Sequence, residues 1–336
     1  MRTPPPEVIA RWPRPNYEDP ETVGPELTMV GAVFLAAAAV SVALRVWTRL
    51  RVTKWFGWDD ALVCLGLIFS IGVNVVFNLG VSQYKWARHI WDIPPMNTQA
   101  PMKLSFALKL LFLLASSSIH LSLLAFYYRL FGKHLFTRLR YLLHATVLAL
   151  LSMTIIFFFL FIFQCHPISA YWTFAPASCL DEEAIVSVYG IVKTLFDFLI
   201  TSLPIPVILR LEMPPWRRYA VALLLGLGYL VTIAGIVRTY YTWQALHTPD
   251  YDLSWYQGIS VIASAVENDL AIITACVPTI RPLVRKALHP LLSSLSPREH
   301  MKSSAEAVFL EGPIRASERM APRRGSLPDE DGDAAV

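Results

Sequence analysis

Among the ionisable residues inside apolar stretches of this chain, five could form one group: Lys109, Lys193, Asp197, Arg238 and Glu267. A lone charge in hydrocarbon is costly, so residues of this kind face one another, a water-filled cavity or a ligand. Lys193 and Asp197 are four apart in IVKTLFDFLITSLPIPVIL (191–209), which puts both on one helical face. Pro204 and Pro206 interrupt the same stretch near one end, where neighbouring helices must satisfy the freed carbonyls. Counted from the expected outer ends of their helices, Lys109, Lys193 and Asp197 lie roughly 12–20 Å deep at the helical rise. Glu267 falls at a similar depth, and Arg238 near the outer end of its own stretch. The expectation is one polar, ligand-sized cavity toward the outer half, suited to a small lipophilic or amphipathic molecule or its carboxylate. The alternative is a set of interhelical ion pairs that fix the packing.

Asp197 and Glu267 carry a second chemical reading. Paired carboxylates can protonate an epoxide or alkene, as in membrane-bound cyclases, when apolar walls raise their pKa values. Lys109, Lys193 and Arg238 oppose that shift, so stable ionisation is expected and no catalytic residue is assigned. Metal chemistry finds no pattern to rest on. Of the eight histidines, only His120 and His144 lie in or beside an apolar stretch, and they do not form a paired, facing array for haem. His89 with Asp92, and His166 beside Cys165, lack ligand spacing, so no metal is expected.

The elements that must position these residues are membrane spans. The chain has 336 residues, 55% hydrophobic and 16% charged, and a mean hydropathy of +0.47, where a soluble domain is about a quarter charged. At roughly 17–20 apolar residues per crossing, seven spans are predicted, near 26–44, 59–79, 104–127, 141–163, 185–209, 219–241 and 255–277. The expected fold is an all-α, seven-transmembrane helix bundle. No apolar signal-peptide core occurs in residues 1–25, so the first span is expected to serve as the insertion signal. No internal repeat is evident, which argues against a transporter built of duplicated halves.

Lys and Arg in the short connections set the orientation. They gather after the first span (Arg45, Arg49, Arg51, Lys54), the third (Arg129, Lys133, Arg138, Arg140) and the fifth (Arg210, Arg217, Arg218). The other connections carry only Lys85 and Arg88. The expected arrangement is N-terminus outside and C-terminus cytoplasmic. It divides the chain into a polar tail (1–25), the membrane domain (26–290) and a disordered cytoplasmic tail (291–336). The clustering also removes the net charge of +4 as an argument for nucleic acid. The inner side presents Asp59, Asp60, Arg129, Arg217 and Arg218 as a candidate signalling face for a cytoplasmic partner. A salt-bridged helix start, with Asp59 and Asp60 against Arg45, Arg49 and Arg51, is the plainer reading of the two aspartates.

Cys165 and Cys179 share the outward connection QCHPISAYWTFAPASC. An oxidising compartment there permits a disulfide, which adds roughly 3 kcal/mol for a loop of this size; two free thiols are the alternative. In the tail, RRGSLPDE sets Arg323 and Arg324 ahead of Ser326, a candidate phosphorylation site.

A series of local signatures appears in a fixed order: ALRVWTRLRVTKWFGWDDALV (43–63), GVSQYKWARHIWDIP (80–94), LSLLAFYYRLF (121–131), FQCHPISAYW (163–172) with Cys179 beyond it, LFDFLITSLPIPVILRLEMPPWRR (195–218), the Arg238 region and ENDLAIITACVPTIRPL (267–283). This set resembles the fungal rhodopsin-domain family of seven-helix membrane proteins. That family includes orphan receptor-like proteins and proteins encoded in secondary-metabolite gene clusters. The resemblance implies a multi-pass protein of the plasma membrane or an endomembrane, among membrane lipid. It implies a receptor-like sensor or, as the alternative, a membrane enzyme or accessory factor of a biosynthetic pathway. Two positions depart from the family: His120 precedes Leu121 and Ser122 where a lysine often precedes the serine, and Lys193 replaces a polar neutral residue. No retinal cofactor is expected, because the seventh span SWYQGISVIASAVENDLAIITAC has no lysine to form the Schiff base.

Overall fold

The structure is a computed structural model that describes residues 5–94, 98–131, 137–173, 178–206 and 215–295, with side chains except at 130–131, 137, 215–221 and 281–295. Seven long helices carry the fold: α1 (Gly24–Trp47), α2 (Trp58–Tyr84), α3 (Gln99–Phe131), α4 (Thr137–Ile162), α5 (Glu182–Ser202), α6 (Pro215–His247) and α7 (Leu253–Leu295). Each is long and apolar enough to cross a bilayer, as the sequence predicted. The compact unit they build ends at Leu283.

Local chemistry explains the helix ends. Pro25 occupies the first turn of α1, where a missing N–H costs nothing. Beyond Trp47 the chain widens into a π-helical turn, Thr48–Thr53, and Lys54 stops it in the left-handed conformation (φ 49°). Asp60 accepts from the Gly57 backbone N–H at 3.0 Å and so closes the start of α2. Asp181 caps α5 by accepting from the Glu183 N–H. Within the predicted fifth span, 185–209, α5 ends at Ser202, and residues 207–209 lie outside the described residues. Pro204 lacks the N–H a further turn needs, and its ring crowds the carbonyl four residues back.

The helices divide into inner and outer sets. In α3 and α7 the apolar stretch is 72% buried, against 17–33% in the other five, so these two form the interior of the bundle. Small residues along α3 (Ala115, Ser116, Ser117, Ser118, Ser122) let its neighbours approach closely.

The ends of the bundle differ in character. At one, a two-residue antiparallel ladder pairs β1 (Cys165–His166) with β2 (Ser178–Cys179), and the Cys165–Cys179 disulfide closes it. The N-terminal segment is tied down there too. Trp12 Nε1 donates to the Asp250 carbonyl at 2.8 Å, the Asn16 N–H donates to Asp92 at 2.9 Å, and Thr22 bridges to Arg88. At the opposite, arginine-rich end, α1 and α2 are joined by the short segment 54–57.

Candidate functional site

A buried charge cluster ties four helices together midway through the bundle. Lys193 on α5 reaches Asp197 one turn on, at 3.1 Å, and also Glu267 on α7. Arg238 on α6 donates through Nε to the other Glu267 oxygen at 2.6 Å. Its Nη2 donates to the Gly190 carbonyl and to Thr194 Oγ1, at 3.1 and 3.2 Å. His120 on α3 completes the set, with Nε2 2.6 Å from Asp197 Oδ1. All five residues are at most 3% exposed. Both cations also lie over the Phe112 ring. Gly235 makes room for the cluster, since a Cβ there would stand 3.0 Å from Glu267 and 3.3 Å from Asp197. Two cations meet two anions and each head group has several partners, the condition under which buried ions are tolerated.

Lys109 does not join this cluster, contrary to the sequence expectation. It pairs with Glu182 at the start of α5 and donates to the Tyr171 hydroxyl at 2.9 Å. The reason is geometric. Depth was counted from each helix's own first residue, but the start of α5 lies level with Lys109, ten residues along α3. Tyr171 belongs to the disulfide-closed connection, so this polar group fastens that loop to the bundle. Burial, with the Glu182 carboxylate beside it, raises the Tyr171 hydroxyl well above the usual phenol range.

The cavity also differs from expectation in place and size. It lies on the arginine-rich side of the cluster, not toward the disulfide end. His120 and Asp197 line it, with Tyr127, Thr201, Gly228 and Thr274 among its other walls. Its volume is about 20 Å³, room for about one water molecule, where small-molecule clefts run to hundreds of cubic ångströms. On the disulfide side of that cavity, Lys193, Asp197, Arg238 and Glu267 close on one another.

At the arginine-rich end, Arg45 on α1 is fully buried and makes three short contacts: Asp59 at 2.6 Å, Asp60 at 2.7 Å and the Ala275 carbonyl at 2.6 Å. Arg49 repeats the fork, 3.1 Å from each aspartate. Ser122 on α3 donates to the Asp59 carbonyl at 2.6 Å. Arg129 reaches Asp59 at 3.4 Å from the edge and lies over the Trp55 ring at 4.7 Å, its side chain 39% exposed. Arg51 is not part of this network and lies over Trp47 instead. The side chains of Arg217 and Arg218, and all of Ser326, lie outside the described residues.

Sequence reasoning passed over three contributors. Glu182 and Tyr171 were not singled out, although an acidic residue opening a helix is the natural partner of a lysine in an apolar neighbour. His120 was weighed as a haem ligand and as a departure from a pattern, and not as a partner of Asp197. Its pairing with Asp197 spans 77 positions and needs the packing of α3 against α5.

Comparison with known proteins agrees with this architecture. The model of the fungal rhodopsin domain matches residues 44–286. Wortmanamides biosynthesis cluster protein C of Talaromyces wortmannii is 24% identical over 294 residues, 86% of this chain and 81% of that protein. Receptor GIN3 of Arthrobotrys oligospora is 24% identical over 278 residues, covering 81% of this chain and 65% of the receptor. Satratoxin biosynthesis SC1 cluster protein 4 of Stachybotrys chartarum is 26% identical over 180 residues, 52% of this chain and 63% of that protein. With seven helices of spanning length and a family match over most of its length, the chain belongs to the fungal rhodopsin-domain family of integral, multi-pass membrane proteins.

Proposed function

We propose that this protein is a receptor-like sensor of a small lipophilic or amphipathic molecule. In this reading its N-terminus faces outside, and the arginine-rich end addresses a cytoplasmic signalling protein. The observation that carries the reading is the position of His120. Its ring joins the mid-bundle cluster through Asp197 and borders the cavity, and it lies on the same helix as Arg129, nine residues on. A polar group that engages Asp197 competes with His120 for it. The displacement then bears on α3, whose far end holds Arg129 against Asp59. A cavity of about 20 Å³ has room for about one water molecule, so binding a small lipophilic or amphipathic molecule requires neighbouring helices to part. The resemblance to a protein named as a receptor supports this reading.

The second reading, an enzyme or accessory factor of a biosynthetic pathway, is favoured by the names of the cluster-encoded relatives. Against catalysis, Asp197 and Glu267 are enclosed by their own cationic partners, and Asp197 faces only a water-sized space.

One experiment separates the two. Membranes holding the full chain are incubated with a lipid extract of the fungal host, washed, and analysed by mass spectrometry. A sensor retains a compound unchanged, and Asp197→Asn reduces retention by about tenfold or more, the loss of one charge-assisted contact. A new product formed by the wild type and absent with Asp197→Asn would replace the sensor reading with the enzymatic one.

A further inference from the structure

Asp269 is a carboxylate the bundle leaves uncompensated. It stands two residues past Glu267 on α7, fully buried against α2. The Ser70 hydroxyl donates to its Oδ1 at 2.6 Å, whereas Oδ2 has no hydrogen-bond partner. The preceding residue, Asn268, is 1% exposed, and neither end of its amide has a partner. Among the described residues four enclosed side-chain polar atoms lack partners, and three of the four belong to Asn268 and Asp269. Native interiors leave few such atoms, so their concentration on adjacent residues points to a component the polypeptide does not supply.

Charge balance points the same way. Lys193 and Arg238 offset Asp197 and Glu267, and Lys109 offsets Glu182. No lysine, arginine or histidine among the described residues forms a salt bridge with Asp269. A lone carboxylate at this depth must take up a proton or a cation. A cation would find oxygen ligands. The Asn74 side chain lies beside the carboxylate with its amide nitrogen as a donor. Its nitrogen donates to the Ser70 carbonyl at 3.1 Å, while its oxygen turns toward Gly31 on α1, where a Cβ would come within 2.8 Å of it. Carboxylate, hydroxyl and amide oxygens are hard ligands that suit alkali and alkaline-earth ions over transition metals. A single carboxylate balances one positive charge, and a divalent ion would leave a net charge in the hydrocarbon.

We propose that Asp269 and Ser70, with Asn74 beside them, hold a sodium-sized monovalent cation between α2 and α7. The site fastens α2 to α7, the two helices that Arg45 also grips through Asp59 and Asp60 of α2 and the Ala275 carbonyl of α7. The test uses the purified full chain in lipid nanodiscs, with thermal unfolding followed in sodium chloride and in choline chloride at equal ionic strength. The expected result is a saturable rise in Tm with sodium and none with choline, together with retention of about one radioactive sodium ion per chain, the one-site case. Asp269→Asn abolishes both responses, and Ser70→Ala raises the half-saturating sodium concentration by about tenfold. If Asp269→Asn does not fold, wild-type ion retention and Ser70→Ala decide the matter. Equal melting in the two salts with no retained sodium overturns the proposal, as does a sodium response that survives Asp269→Asn. A stability that follows pH and ignores sodium assigns Asp269 a proton and equally overturns it.

Discussion

The two charge networks of this bundle are built on opposite plans. At the arginine-rich end, Arg45 and Arg49 lie 10–15 positions from Asp59 and Asp60, and each guanidinium fork spans both carboxylates. In mid-bundle the partners come from four helices, His120 and Asp197 being 77 positions apart and Lys193 and Glu267 74. There an ammonium is shared between two carboxylates. A planar fork fixes geometry, and a lysine on a flexible stem does not. The first network is therefore a clamp that sets how α1, α2 and α7 meet, whereas the second can exchange partners without leaving a charge bare.

Removing the centre of each network tests that contrast. Arg45→Ala should have the largest effect. It leaves two buried aspartates with Arg49 and the more distant, half-exposed Arg129, and frees the Ala275 carbonyl, costing about 5 kcal/mol, the upper range for a broken buried pair. Glu267→Gln should cost less, about 3 kcal/mol, because Asp197 remains to receive Lys193 and the amide can still accept from Arg238. Thermal unfolding of the two variants in one detergent ranks them. A larger loss for Glu267→Gln would reverse the assignment of clamp and adjustable cluster. Lys193→Met comes next, at about 1–2 kcal/mol, since Asp197 keeps His120 and Glu267 keeps Arg238. Unchanged melting and an unchanged ligand response in Lys193→Met would remove this lysine from the organising role given to it.

How far each network was legible in the sequence follows from the same contrast. The seven helices were readable because span length and apolarity are local properties, and so was the DD pair at a helix start beside closely spaced arginines. The Cys165–Cys179 bridge was readable because one connection holds both thiols. Lys193 and Asp197 were readable at a spacing of four. Lys109 was misplaced because helices that begin at different heights share no common origin for counting residues. The cavity was misplaced for a related reason: five near-balanced charges looked like the lining of a void, but side chains of opposite sign close a void when their helices allow contact. Asp269 gave no signal in the sequence because its distinction is the lack of a cationic partner, a property only packing defines.

Arg129 offers the smallest stability effect and the sharpest functional one. Its side chain is 39% exposed and its nearest Asp59 oxygen is 3.4 Å away. A half-hydrated pair at that distance contributes below about 1 kcal/mol, and Asp59 retains Arg45 and Arg49 when it is gone. Arg129→Ala should therefore melt close to the wild type. In the sensor reading it should bind ligand normally and lose the downstream response, because the arginine at the end of α3 is the group that leaves Asp59 most easily when the helix shifts. Retained binding with retained response would confine the arginine-rich end to holding the helices together, and the difference between the two networks would then be one of stability alone.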